Sequence, residues 1–505
     1  MKLKTNLLVL LLCAIISTVL FYKHVFGLNL LIFQVLLFIW FLLTKQINLK
    51  SKNQIVVSIS FLLTSIFTVV VHSKFSYFIN FLAWFLLIGN LNFPNAKSLI
   101  HSMGIAFISL FKSQELFIKK IFKAKMGNLS LGNLIYKSRI FLIPLLIISL
   151  FIVLYSLSNS VFSDIVSKSL LSIENMFVYI FKDIDFFVVF TFLVCLLFSN
   201  FYLIRNSSQF IVEKDLKSSE TLFRKKKIGK RYFGFLALKN EYKSAIFLFI
   251  ILNLILLILN VIDINWVWIN FEWQGESLKQ FVHQGTYLLI LSILISIALV
   301  LYYFRGNLNF YKKNSLLKKL SYVWIFQNGF LALSVGVRNL RYIEHYSLAF
   351  KRIGVIIFLI VTLYGLYTVA IKIKKRKSSF YLFKKNSFFV FIVLVLFSGI
   401  NWDSCIAKYN FSHVDTSFLH LDYLATLSDK SLPHLEFNIE ELNEMHELQK
   451  GKFTIDDYLM TPSEYKRRIE NRKMNFKDAW ESKHFLSWNY PEYIAYKKLL
   501  KTEEE

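Results

Sequence analysis

Apolar residues along this chain come in long unbroken blocks, and the charges gather between the blocks. A block of about 20 apolar residues crosses a hydrocarbon core of about 30 Å as a helix. Measured against that length, the pattern predicts about eleven spans. Their cores lie at 5–22, 26–44, 54–71, 75–91, 140–158, 184–204, 244–262, 284–304, 320–337, 353–371 and 387–400. The last core runs straight into "NWDSCIAKYN" (401–410), beyond which the chain is mostly polar. The pattern predicts an all-α fold, a polytopic helical membrane protein followed by a small all-helical extramembrane domain. Three regions follow from it: 1–139 with four spans, 140–400 with about seven more, and 401–505 outside the membrane.

Two stretches are neither spans nor ordinary loops. Residues 96–126 mix apolar residues with lysines at helical spacing, as a helix on the inner membrane surface would, and 160–181 fits the outer surface. For both, packing on the protein's own bundle is the alternative. In the polar tail, Leu435, Ile439, Leu442, Met445 and Leu448 recur at three- and four-residue steps, an amphipathic helix ending near Gly451. Thr461-Pro462-Ser463-Glu464 reads as a helix start, and a last helix begins near Pro491. These apolar faces need cover from one another, from the bundle or from a partner protein.

Charge orients the spans. Residues 1–400 hold 45 Lys and Arg against 13 Asp and Glu, whereas 401–505 hold 14 against 19. Every second loop is strongly basic, including "RKKK" at Arg224 to Lys227 and seven basic residues from Lys372 to Lys385. Basic loops stay in the cytoplasm. The N-terminus is therefore expected in the cytoplasm of a bacterial cell, the protein in its inner membrane, and the tail outside. The basic residues sit beside spans, which points to anionic lipid at the inner surface and away from nucleic acid. One loop breaks the alternation: Arg338, Arg341, Lys351 and Arg352 fall on the outer side. Either the 320–337 segment ends early and these residues are buried in the bundle, or that segment is re-entrant.

Polar residues inside spans are costly and are candidates for function. Asn253 lies mid-span in 244–262, Gln327 and Asn328 lie mid-span in 320–337, and His283 and Gln284 open the 284–304 span. The plainer role for such amides is to hydrogen-bond between helices. Asp263, Glu272 and His283 form the one outer-loop cluster that a membrane transferase could use. In the tail, Glu444, His446 and Glu447 do not make a His-Glu-x-x-His metal site, because Lys450 stands where the second His belongs. No motif calls for a metal or cofactor, and no catalytic residue is assigned.

The stretch at 401–410 carries a resemblance. Asn401, Asp403, Ile406, Ala407, Tyr409 and Asn410, followed by Asp422, Tyr423, Leu424, Leu427, Ser428 and Pro433, resemble a motif that follows the last membrane helix in a bacterial family of multi-span membrane proteins of unknown function. "FVHQGTYLLILSILIS" (281–296) and "RNLRYIEHYSLAFKRIGV" (338–355) are similar to two further segments of that family. The resemblance covers roughly 240–435. It implies a location and an architecture, and it brings no activity with it. Asn401, Trp402, Asp403, Tyr409 and Asn410 then read as a joint between membrane and outer domain, with Trp402 at the headgroups. The expected protein is a non-enzymatic membrane component, a sensor or accessory subunit whose tail binds a partner. A transporter or channel is the alternative, and a transferase using the 263–283 loop is a second.

Overall fold

The computed structural model describes residues 7–47, 51–123, 125–126, 129–180, 185–224, 238–270, 275–450, 452 and 460–504, with the side chains of 123–143, 160, 173–180, 275–286 and 501–504 outside that description. The described chain is almost entirely helical. In order the helices are α1 Leu7–Phe21, α2 Leu28–Leu43, α3 Lys52–Val70, α4 Lys74–Asn92, α5 Leu99–Lys123, α6 Leu131–Ser158, α7 Ser160–Ile180, α8 Phe186–Leu203, α9 Gln209–Lys217, α10 Leu238–Asp263, α11 Gly275–Tyr303, α12 Ser315–Tyr346, α13 Phe350–Lys375 and α14 Ser379–Ser398. The tail adds α15 Trp402–Ser412, α16 Leu421–Leu424, α17 Ile439–Gln449, α18 Pro462–Glu481 and α19 Tyr490–Glu504. A two-residue antiparallel pairing joins Lys125–Met126 to Leu129–Ser130.

Among the described residues, seven helices are long and apolar enough to cross a bilayer: α3, α4, α8, α10 with its π-helical extension Ile264–Ile269, α12, α13 and α14. Four shorter apolar stretches, Leu7–Phe21, Leu28–Leu43, Pro144–Ser158 and Tyr287–Tyr303, occupy the remaining predicted cores. Their outward faces are apolar: on α10, Leu254, Ile255, Leu257, Ile258, Val261 and Ile262 are all exposed. Such a surface is untenable in water and is compatible with an integral membrane protein.

The spans form two bodies. Leu30, Phe61, Ile79, Leu87 and Tyr202 belong to a core built from α1–α5 and α8. Phe249, Val300, Trp324, Val335 and Leu366 belong to a second core built from α10–α13. Helix α14 serves both, giving Phe391 and Val395 to the first and Tyr381 and Leu382 to the second. The segment after α9 ties the bodies together on the basic side. There the Glu220 carboxylate accepts from Lys384 at 2.7 Å, and the backbones of Glu220 and Leu222 bond to Ser378 and Arg376.

Helix α5 packs on the protein's own bundle, the alternative open to 96–126. Ser102, Ala106, Ser109 and Ser113 are buried against the first body, a small-residue face of the kind that lets membrane helices approach closely. Gly89 on α4 is required there, since a Cβ at that position would lie 2.0 Å from the Ser102 carbonyl oxygen. The opposite face exposes Ile100, Met103, Phe107, Phe111 and Ile118. Helix α7 packs on α6.

Helix α12 runs unbroken for 32 residues, about 48 Å at 1.5 Å per residue. It has no re-entrant turn. Arg338 is buried within it, and the Arg352 guanidinium stacks 4.5 Å over the Tyr342 ring and donates to the Tyr346 carbonyl at 2.6 Å. These two arginines are absorbed by the bundle, while Lys351 and the Arg341–Glu344 pair stay exposed.

Candidate functional site

Two constellations of polar side chains stand out, one inside the second body and one where the tail meets the spans.

Helices α10 and α12 run parallel, and a ladder of polar groups follows their contact. Asn253 donates to the Phe249 and Leu320 carbonyls at 2.6 and 3.2 Å, and its Oδ1 accepts from Gln327 at 3.1 Å. Seven residues on, Asn260 donates to the Gln327 carbonyl at 3.3 Å. Asn328 donates to Trp324 of its own helix at 2.8 Å. At the top of the ladder Asp263 forms a buried ion pair with Arg338 and accepts from Ser334 at 2.7 Å. Trp268, in the π-helical turn, donates to Ser334 at 3.2 Å and stacks on Phe330. Three oxygens in the ladder, Asn260 Oδ1, Gln327 Oε1 and Asn328 Oδ1, are buried without a hydrogen-bond partner.

Asp263 is thus no outer-loop acid. The helix carries it inward to α12, and both carboxylate oxygens are taken. Glu272 and the side chains of His283 and Gln284 lie outside the described residues, so no cluster of Asp263, Glu272 and His283 is described. Among the described residues no three His, Cys, Asp or Glu side chains gather as metal ligands.

The joint is built from the 401–410 stretch. Asp403 accepts the backbone N–H of Ser428 at 3.1 Å and pairs with Lys430 at 3.1 Å. Lys430 is buried and also donates to the carbonyls of Val71 and His72, at 3.0 and 3.3 Å, in the α3–α4 turn. Burial pulls the Lys430 pKa down, and Asp403 opposes the shift. Ile406 and Ala407 are fully buried in the tail core. Asn410 makes both amide bonds to the backbone of one residue: it accepts from Leu348 N at 2.7 Å and donates to Leu348 O at 3.1 Å. Trp402 folds back onto α14, stacked on Phe397 and donating to its carbonyl at 3.0 Å. Asn401 donates to Ser404 at 2.9 Å, and Tyr409 stacks on His413.

The tail grips both bodies through short connections. On the second body, Ser347 Oγ donates to the Phe418 carbonyl at 2.9 Å, and Tyr423 OH accepts from Phe350 N at 3.1 Å. Ser347 has φ 66° and ψ −179°, a conformation costing about 1–3 kcal/mol outside glycine. The surrounding bonds hold it there. On the first body, Leu28 N donates to the Trp488 carbonyl at 2.9 Å, His24 stacks on His484 at 4.3 Å, and His72 lies 3.4 Å from Glu492. The 484–488 turn sits so close that a Cβ on Gly27 would be 2.7 Å from Ser487.

The resemblance carried by the joint has a counterpart at the level of the whole chain. A family described as a domain of unknown function, DUF4153, matches residues 7–437. The chain belongs to this family. The match begins in α1, so the first 240 residues, which fit the resemblance only as generic spans, are part of the family's domain too. It ends just before α17 and takes in α15, Lys430 and the contacts of Asn410 and Tyr423. No curated protein and no solved structure matches.

The ladder was half visible in the sequence: Asn253, Gln327 and Asn328 stand out as polar residues in spans. Asn260 and Ser334 do not. The seven-residue steps from Asn253 to Asn260 and from Gln327 to Ser334 are the signal that finds them. A second polar cluster, Gln34, Ser65 and Asn80, went unread. There Gln34 donates to Asn80 at 2.6 Å and accepts from Ser65 at 2.5 Å and from Asn80 at 3.0 Å, linking α2, α3 and α4.

Proposed function

We propose that this is a bacterial inner-membrane protein of eleven spans, N-terminus inside, in which a C-terminal helical domain clamps the outer ends of two membrane bodies. On this reading it is a non-enzymatic component, a sensor or accessory subunit. Residues 401–505 report or fix the relative position of the bodies and present their outer face to a partner protein. The observation that carries the reading is the double grip: Asn410, Phe418 and Tyr423 on the α12–α13 connection, and Lys430, Trp488 and Glu492 on the first body. The basic loops on the opposite face supply the orientation and a surface for anionic lipid.

Spin labels at Asn95 and Lys313, one on each body at the basic face, test the clamp. The distance distribution should broaden when Asp403 and Asn410 are both replaced by Ala. An unchanged distribution would sink the reading. Labelling Glu447→Cys and Lys313→Cys in intact cells, with the native cysteines replaced, tests the orientation: only Glu447→Cys should react with an impermeant reagent.

The unpaired oxygens of Asn260, Gln327 and Asn328 favour a transporter or channel as the second reading. A buried acceptor without a donor costs about 1–3 kcal/mol, and water or a cation passing along α10 and α12 would relieve that cost. Ion flux in proteoliposomes that Gln327→Leu leaves unaltered would remove this alternative.

A further inference from the structure

A cavity of about 230 Å³ opens where α3 ends, α14 ends and the tail begins. Asn401, Ser404, Lys430, His434 and Lys498 line it on the tail side, and Val70 closes it toward the membrane. Its chemistry is mixed in a particular way. The Lys430 ammonium is fixed at the wall by Asp403 and two carbonyls. Burial, with Lys408 and Lys498 nearby, holds the His434 imidazole down to about 4, so at neutral pH it is an uncharged group with one N–H to give. Asn401 Oδ1 is buried with no hydrogen-bond partner. The site therefore offers cationic and neutral donors together with one acceptor in need of a donor.

The membrane side supplies the second half of the argument. Ile59, Leu63, Ile66 and Val70 are exposed on α3 at steps of four, three and four residues, a single apolar track that ends at the cavity mouth. A soluble anion has no use for such a track, whereas an acyl chain does.

We infer that this cavity holds the headgroup of an anionic phospholipid, with its phosphate at Lys498 and His434, a headgroup hydroxyl donating to Asn401 Oδ1, and an acyl chain along the α3 track. Phosphate contacts to a cation and an N–H are charge-assisted bonds of the strong kind. The site needs only the docked tail and the two spans, so it stands whether or not the clamp transmits a signal.

The full-length protein, purified in detergent and reconstituted in nanodiscs of mixed phosphatidylglycerol and phosphatidylcholine, gives the test. Co-purified lipid is counted by native mass spectrometry. Phosphatidylglycerol should be enriched, and the enrichment should fall about tenfold in the double variant Lys498→Ala with His434→Gln, the size expected for losing charge-assisted contacts. Ile66→Asn should lower it as well, and Lys450→Ala, exposed at the end of α17 and outside the cavity lining, should not. An unfolding midpoint in pure phosphatidylcholine that matches the wild type shows that the variants fold. Equal enrichment in wild type and double variant overturns the site. If inorganic phosphate binds in the same residue-dependent way while Ile66→Asn and added phosphatidylglycerol change nothing, the lipid assignment is overturned and the cavity is a site for soluble phosphate.

Discussion

Each membrane body holds a cluster of amides, and the two clusters bury their polarity in different ways. In the first, Gln34, Ser65, Thr64 and Asn80 close on one another, each amide of the pair meeting the other. No atom of that cluster is left without a partner. In the second, the α10–α12 ladder ends in the Asp263–Arg338 ion pair and leaves three amide oxygens unpaired. A closed neutral network fixes one arrangement of three helices. An open ladder costs stability in the static fold and leaves room for a donor to enter. The difference separates two clusters and not two whole bodies, since Asn90 Oδ1 and Asn200 Oδ1 of the first body are also buried without a partner.

The ion pair gives the sharpest way to break that contrast. Arg338→Leu leaves the Asp263 carboxylate buried without its cation and should cost about 3–5 kcal/mol, whereas the double variant Asp263→Leu with Arg338→Leu should recover most of it. Thermal unfolding in detergent measures both. A double variant as unstable as the single would show that the pair does more than neutralise itself, and would move function to the top of the ladder.

The amides give the next comparison. Gln34→Leu leaves Asn80 Oδ1 buried without its donor, while Asn80 Nδ2 keeps Thr64 and Ser65, and should cost about 1–3 kcal/mol. Gln327→Leu leaves Asn253 Oδ1 without its donor but removes an oxygen that had no partner, so the number of unpaired acceptors is unchanged. It should cost less than about 0.6 kcal/mol, the mean for a polar contact between membrane helices. Equal costs at the two sites would erase the distinction between closed and open networks.

Much of the fold was legible because the bilayer leaves so few choices. A span must be apolar for about 20 residues and must satisfy its own backbone, so hydropathy places helices well. It says little about depth or rotation. Asp263 looks like an outer-loop residue because the predicted core stops at 262, yet α10 runs through Asp263 and continues into a π-helical turn, which leaves the carboxylate against α12. For Arg338 the sequence leaves burial in the bundle or a re-entrant segment open, and its partner, 75 residues away, decides for burial. Helix α5 read as ambiguous because its lysines and phenylalanines share one helix, and only packing shows that the serines face inward. The joint was located by its residues, but that Asn410 grips Leu348 and Lys430 reaches Val71 depends on long-range folding. Tail capping, by contrast, is local: Thr461 and Glu464 form the capping box that the sequence announces.

The tail extends the contrast between the bodies, and acid should expose it. Its hold on the second body uses groups that do not titrate near neutrality: the Asn410 amide, the Ser347 hydroxyl and the Tyr423 hydroxyl. Its hold on the first body uses His24 against His484 and His72 against Glu492. Burial, then the nearby His484, lowers the His24 pKa from its ordinary 6.5. A lowered base binds its proton more weakly in the docked state, so the released state takes up protons first as pH falls. Docking is therefore complete above 6.5 and weakens between 6.5 and the lowered value. Glu492 works in a lower window. Burial raises its pKa, but hydrogen bonds from His72 and Lys483 outweigh that and hold it at about 2, so its contribution is intact above its ordinary 4.5 and is lost only as pH drops from there toward 2. Between pH 7 and 5 only histidines act, and His434, held down to about 4 in the cavity beside Val70, adds to His24 on the first-body side. Hydrogen exchange at two amides reads it directly: Leu28 N–H, bonded to Trp488, should lose protection, while Leu348 N–H, bonded to Asn410, should keep it. Loss of protection at both would mean that the tail leaves as one unit, and that its grip on the two bodies is not separable.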